Sequence, residues 1–354
     1  MVSTMKEGSA AGERRGEWLR WRWISLGGLV ALAIGASLLV GDRAISLPTL
    51  LATLAGGSED GLDRVIVWQL RLPRALGAAL LGSALAVGGV VMQGIFRNAL
   101  ADPGLIGVSA GGAAGAVGFL VLGAPLAVAA PWLHETGLVV FPIVGGTLAT
   151  LLVYRLGKVD GRTHVATLLL VGIAVNALAG ALVGLAIFVA PVEALRDFAF
   201  WSLGSLSRLD WAAVTWLAVG TTALLAVALP NRTALNLLLL GEAEAAHLGL
   251  PVERVRRWLI LAAAAAVSLT VAFAGIIGFV GLVVPHLCRL LLGPDHRRLL
   301  PAAALAGAAL LPAADALARV LSPQAELPIG VITTALGAPF FLWLVHRSKF
   351  GDAS

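Results

Sequence analysis

The sequence is a train of long apolar runs separated by short charged segments. The runs fall at 24–41, 75–94, 105–130, 138–156, 165–190, 212–230, 258–275, 276–292, 301–320 and 329–346. A helix needs roughly 20 residues, at about 1.5 Å each, to cross the hydrocarbon core of a bilayer. These runs use nearly all of the 354 residues and leave no length for a separate soluble catalytic domain. Charged types are 13% of the chain, too few to cover a water-soluble surface. An ordinary soluble domain carries about 25%. The expected fold class is therefore all-alpha: a polytopic membrane protein with ten transmembrane helices at 24–347. A cytoplasmic tail at 1–23 precedes them, and a C-terminal tail at 348–354 follows. The basic start resembles a signal peptide, but no small-residue cleavage site follows it cleanly, so the first run reads as a membrane helix. The boundary between the seventh and eighth runs rests on Gly275 alone.

Charge placement predicts orientation. With both termini in the cytoplasm, the inner segments carry Arg14, Arg15, Arg20 and Arg22, then Arg97, then Arg155, Lys158 and Arg162. Further along they carry Arg232, Arg254, Arg256 and Arg257, then Arg289, Arg297 and Arg298, then Arg347 and Lys349. The outer loops are mixed: Arg43, Arg64, Arg196 and Arg208 stand among Asp42, Glu59, Asp60, Asp63, Glu193, Asp197 and Asp210. This is the positive-inside bias. Arg71, Arg74 and Arg319 depart from it.

Several chemistries are missing. The chain has no GxxxxGK[ST] loop to grip nucleotide phosphates, and no HExxH, CxxC or GxSxG. Its six histidines form no short ligand pair, so neither a metal site nor a permanently bound cofactor is expected. The single cysteine, Cys288, sits in an apolar run and reads as a packed thiol. Asp315 is the clearest deep carboxylate, with Arg319 four residues on. The two form either a structural pair or part of a proton or sodium relay. Asn176 and Gln93 are the other polar groups within spans. Gly107, Gly111 and Gly115, and again Gly275, Gly278 and Gly281, mark either packing seams or hinges.

The sequence thus describes a bundle without its own energy source: a channel, a carrier, or a subunit powered by another protein. The third option needs a cytoplasmic docking surface. Segment 232–257 offers one, with the apolar residues 237–240, a change of direction at Gly241, a short helix carrying Glu242, Glu244 and His247, and a stop at Gly249 and Pro251. The same pattern also suits a helix resting on lipid headgroups.

Four blocks carry a family resemblance. They are VWQLRLPRALGAALLGSALAVGGVVMQGIFRNALADPGLIGVSAGG (67–112), LLLLGEAEAAHLGL (237–250), GIIGFVGLVVPHLCRLLLGPDHRRLLP (275–301) and ADALARVLSPQAELPIGVITTALGAPFFLWLV (314–345). In these the chain resembles the inner-membrane permease subunits of bacterial ABC importers for haem, iron-siderophores and vitamin B12. The resemblance implies ten helices per chain, a homodimer with a cargo path near its two-fold axis, and a periplasmic binding protein that delivers the cargo. It also implies two cytoplasmic ATPase subunits that use ATP and Mg. By the same resemblance, Arg71, Arg74 and Arg319 receive acidic residues of the binding protein. Coupling to the ATPase falls on 237–250, through Leu240, Gly241, Glu242, Ala245, Leu248 and Gly249. The segment LRDFAFWSLGSLSRLDW (195–211) looks most like the haem branch. Haem is then the expected substrate, with a ferric siderophore or cobalamin as alternatives. Arg196 is expected to meet a haem propionate, with Phe198, Phe200 and Trp201 as flat apolar surfaces. The fifth run, with Gly172, Asn176 and Gly180, is the candidate wall of the path.

Overall fold

The computed structural model describes every residue except Met1, Asp42, 58–60, Pro131, 160–161, 323–324 and 352–354; the side chains of 2–20, 124–129, 134–135, 344–345 and 347–351 also lie outside it. The tail residues Arg14, Arg15 and Arg20, the acids Asp42, Glu59 and Asp60, and Arg347, Lys349 and the rest of the expected C-terminal tail are therefore outside the described side chains.

Helix α1 (Val2–Leu39) runs from the polar start through the first apolar run, so the residues before the first span are helical from Val2 onward. The short α2 (Leu47–Leu54) is capped by Ser46, whose hydroxyl accepts from the Thr49 amide. Helix α3 (Gly61–Val65), a π-helical stretch at Ile66–Arg71 and α4 (Leu72–Phe96) form one rod. The expected second span thus begins some way before residue 75. The rod is the buried mast of the bundle: most of α4 is solvent-inaccessible, and the helices at Trp211–Ala228, Val252–Ala274, Val280–Leu292 and His296–Leu321 all pack on it. Its all-round apolar sequence fits that position.

After a 3-10 turn at Pro103–Ile106 come α5 (Val108–Ala129) and α6 (Leu133–Leu156), which pack along each other. A two-residue hairpin (β1 Lys158–Val159, β2 Arg162–Thr163) leads to α7 (Val165–Val189) and the short α8 (Val192–Ser202). Helix α9 (Trp211–Ala228) is capped by Asp210. It is followed by α10 (Arg232–Leu240), α11 (Glu242–His247), α12 (Val252–Ala274), α13 (Val280–Leu292), α14 (His296–Leu321) and α15 (Ile329–Gly351).

Among the described residues seven helical segments are long and apolar enough to cross a membrane: Trp21–Leu39, Gly61–Phe96, Thr136–Leu156, Val165–Val189, Trp211–Ala228, Val252–Ala274 and His296–Leu321. The other three expected spans are shorter apolar helices at Val108–Gly123, Val280–Leu292 and Ile329–Trp343. The chain is thus an all-alpha, multi-pass membrane protein. The break at Gly275 is wider than the sequence suggested. Residues 275–279 are irregular, with Gly275 at φ 72° and Phe279 at φ 66°. Irregular backbone within a membrane bundle is tolerated where protein or a cavity satisfies it, and these residues pack against the turn after α8.

The glycine patterns resolve into close helix crossings. A Cβ on Gly82 would lie 2.0 Å from the Gly307 carbonyl oxygen, and one on Gly307 would lie 2.1 Å from that of Gly82, so α4 and α14 meet backbone to backbone. Gly111 and Gly115 lie against Gly145 and Phe141 in the same way, whereas Gly107 is a turn residue at φ 87°. The 275–281 glycines are not one seam. Gly275 abuts the Trp201 carbonyl, Gly278 faces nearly open space, and Gly281 lies beside Asp102 and Leu85.

Candidate docking, translocation and coupling surfaces

The bundle has two chemically different ends. At the α10–α11 end, basic side chains outnumber acidic ones, while at the α8 end the two are nearly matched. The bias places the α10–α11 end toward the cytoplasm.

At the α8 end the three exceptional arginines have defined partners. Arg71 is buried, and its guanidinium donates to the carbonyls of Leu38 (2.7 Å), Leu39 (3.1 Å) and Arg43. It thereby satisfies the carbonyl groups left open at the end of α1. Arg319 does the same from α14, donating to Val40 O (2.6 Å), Ser37 O (2.9 Å) and Ser37 Oγ (2.7 Å). Asp315, almost fully buried, sits between Arg319 and Arg74, at 2.8 Å from each. Arg74 Nε also lies 3.1 Å and 3.2 Å from the two Asp315 oxygens, the fork geometry of a strong charge-assisted pair. Of the sequence-stated alternatives for Asp315, the structural pair is realised, and with two arginines.

Arg74 also reaches Glu326, at 3.3 Å, and Glu326 accepts from Ser205 Oγ at 2.9 Å. Glu326 therefore ties the approach to α15 to the loop between α8 and α9. Two backbone bonds strengthen that junction, from Ile329 N to Gly204 O (3.0 Å) and from Gly330 N to Leu203 O (3.1 Å). Sequence reasoning passed over Glu326. Its signal was available, because it is the single acid between Asp315 and Asp352.

Two cavities open at this end. One, of about 440 Å³, is lined by Arg43, Arg71, Arg74, Arg208 and Arg319, with Asp210 as its single acid among the described residues. The other, of about 280 Å³, lies between the turn after α8, the α12 end and the approach to α15. Phe200, Trp201 and Phe273 give it apolar walls, and Arg208 and Glu326 give it charges. Arg208 lines both, and it too was not singled out in the sequence. Arg196 lines neither. Its guanidinium instead sits 5.9 Å from the Phe200 ring centroid. Trp201 is buried and stacks on Phe198 at 6.0 Å, and its indole Nε1 has no hydrogen-bond partner among the described residues.

Helix α7 is largely exposed along its length, with Leu170, Leu178, Leu182 and Phe188 all facing outward. The expected wall residues divide over its two faces. Gly172 is an inward packing residue, since a Cβ there would lie 2.0 Å from Leu105 O. Asn176 is half-buried, and its Nδ2 donates to Gly104 O at 3.2 Å. Gly180 lies on the exposed face with nothing within 4 Å of an added Cβ.

At the other end, Gly241 (φ 132°) makes the turn between α10 and α11, and Gly249 (φ 84°) follows α11. Leu240 and Leu248 are exposed, whereas Ala245 is fully buried and seats α11 on the bundle. Glu242 points back into the protein toward Arg256. Asn236 of α10 donates to Asp295 at 2.7 Å, and its Oδ1 accepts from the His296 amide at 2.9 Å, fixing α10 to the start of α14. The backbone N–H of Arg297 beside Asp295 holds its carboxyl below the usual value, with Asn236, Arg297 and Arg298 helping. Among the described residues no group of three or more His, Cys, Asp or Glu could hold a metal ion.

Comparison with known proteins gives a consistent picture. The profile of the FecCD transport family matches residues 29–347. The hemin transport system permease protein HmuU of Yersinia pestis is 42% identical over 324 residues, covering 91% of this chain and 93% of that protein. The vitamin B12 import system permease protein BtuC of Klebsiella pneumoniae is 39% identical, covering 88% and 94%. A solved structure described as an inward-facing metal-chelate type ABC transporter superposes with a TM-score of 0.80 at 34% identity, covering 92% of this chain and 98% of that one.

Proposed function

The chain belongs to the FecCD transport family of ABC-importer permeases, and on that premise we propose that it passes haem from a periplasmic binding protein to the cytoplasm by alternating access. It is a non-catalytic translocation subunit in a multi-pass membrane setting. In this proposal two copies form the path, each contributing ten membrane helices, and both termini face the cytoplasm. ATP and Mg are used by two separate ATPase subunits.

The observation that carries haem is the 42% identity with the hemin permease across nine-tenths of both chains. The chemistry of the 280 Å³ cavity supports it, since flat aromatic walls suit a planar ring and a guanidinium suits a propionate. The vitamin B12 permeases, at 39–40% identity, favour cobalamin as the second reading.

Docking belongs at the arginine-lined cavity. Arg74 is the guanidinium best placed to exchange a partner, because Glu326 on its outer side is partly exposed. Arg71 and Arg319, held by α1 carbonyls, provide fixed positive charge behind it. A carboxylate of the binding protein entering there meets several donors and little opposing charge. At the cytoplasmic end, exposed Leu240 and Leu248 flank the α10–α11 turn and suit an apolar groove on the ATPase, with Gly241 and Gly249 setting the turn and Ala245 its seat.

The test is uptake by the complete importer in proteoliposomes, comparing haemin, a ferric siderophore and cobalamin. Haemin uptake should exceed the other two. Arg208→Ala and Arg196→Ala should each lower haemin uptake without reducing recovery of the complex, and Arg208→Ala should have the larger effect, about tenfold for a lost charge-assisted contact. Preferred cobalamin uptake would replace the haem reading. Unchanged haemin uptake in both variants would remove these arginines from the path.

A further inference from the structure

The largest fully buried side chain among the described residues is an arginine, Arg256, at 1% exposure. It lies in the first turns of α12, at the cytoplasmic end. Its Nη2 lies 2.5 Å from Glu242 Oε1, at the start of α11. Its Nη1 donates to Thr163 O of the β1–β2 hairpin at 2.5 Å and lies 3.7 Å from Glu253 Oε2. Glu253 in turn accepts from Tyr154 Oη (3.1 Å), from Thr163 N (3.2 Å) and from Thr163 Oγ1. One buried cation thus joins the α10–α11 segment, the foot of α12 and the end of α6.

The three attachments are not equivalent. Glu253 and Thr163 hold Arg256 within the foot of the bundle, and Glu253 has other donors besides. Glu242 is different, since its ion pair with Arg256 is the only side-chain bond among the described residues that joins α11 to α12. From Arg256 helix α12 then runs without interruption to Ala274, about 27 Å away at 1.5 Å per residue. Ala272, Ala274 and Gly275 at its far end line the 280 Å³ cavity. A helix of this length, buried through Leu259, Ile260, Ala263, Val267 and Val271, moves as a rod.

We propose that the Glu242–Arg256 pair is the pin through which displacement of α11 reaches α12 and, through α12, the wall of the outer cavity. Glu242 is then a positioning residue that pairs with buried Arg256, while the more exposed Leu240 and Leu248 beside it meet the ATPase. The pair suits the role from the arginine's side: Arg256 is 1% exposed, so parting it from Glu242, itself 39% exposed, leaves a buried charge without that partner. The inference rests on the proposed ATPase-driven function.

The experiment uses the complete importer, with its ATPase and binding protein, in proteoliposomes loaded with ATP. Glu242→Ala and the charge-keeping Glu242→Asp are compared with the wild type for recovery of the complex and for haemin imported per ATP hydrolysed. The expected result is intact recovery with an import-to-hydrolysis ratio about tenfold lower in Glu242→Ala, within the usual range of coupling between sites, and partly restored in Glu242→Asp. A purely structural role would not change that ratio in complexes that assemble. An unchanged ratio in Glu242→Ala overturns the proposal, as does loss of the ATPase from the complex, which would make Glu242 a contact with the ATPase. A wild-type complex that imports nothing with ATP would instead overturn the functional reading.

Discussion

Asp315→Ala should destabilise the folded permease by about 3–5 kcal/mol, the cost of removing one partner from a buried ion pair. In thermal unfolding of the detergent-solubilised protein, the variant should lose its cooperative transition or show it at a much lower temperature. The carboxylate is almost inaccessible and lies 2.8 Å from both Arg74 and Arg319, whose side chains are only 19% and 14% exposed. Without it, two guanidinium groups face each other at the end of α14. Glu326 cannot replace it, because it reaches Arg74 alone. Asp315→Asn keeps the shape and one acceptor and should fall between the two. This also separates the structural role from an ion relay. A relay carboxylate would lose transport on conversion to Asn while stability stayed near wild type. The arrangement here predicts the reverse order: stability falls, and whatever protein remains folded still transports with ATP.

Gly307→Leu should abolish recovery of folded, monodisperse protein. The α4–α14 crossing is a contact of backbones, with a Cβ at either Gly82 or Gly307 placed about 2 Å from the opposite carbonyl oxygen. Overpacking between movable side chains costs about 1–3 kcal/mol. Here the obstacle is main chain on the most buried helix, so relief requires separating α14 from α4, and with it the Arg74–Asp315 pair. Gly180→Leu is the control. That glycine faces open space on α7, so the substitution should leave the size-exclusion profile of the solubilised protein unchanged. Equal recovery of the two variants would contradict the crossing.

Much of this architecture is legible in the sequence because bilayers impose it. Each apolar run becomes a helix, since unpaired backbone groups have no water to bond in hydrocarbon. The runs do not reveal that Gly61–Phe96 is one rod, because the charged residues at Asp63, Arg64 and Arg71 interrupt the hydropathy where helix geometry continues. They also do not reveal the irregular 275–279 stretch, where left-handed backbone at Phe279 is held by packing from distant segments.

For the site, Arg71, Arg74 and Arg319 were visible as charges out of place. Of their partners only Asp315, four residues from Arg319, was legible, because Arg319 meets Ser37 and Val40, and Arg74 meets Asp315, across most of the chain. Position along a helix likewise cannot tell Gly172, pressed on a carbonyl, from Gly180, facing open space. Glu242 stood in a segment expected to contact the ATPase, and only the fold shows that it turns inward to Arg256.

In the proposed importer the energy for transport arrives from outside this chain, at the α10–α11 end. Haemin accumulation in proteoliposomes tests that directly, measured with the permease alone, with permease and ATPase, and with each plus internal ATP, while a proton or sodium gradient is imposed in parallel. The expected result is accumulation above the external concentration with the ATPase and ATP together, and none from an ion gradient alone. Uphill accumulation by the isolated chain, under any gradient, would contradict it.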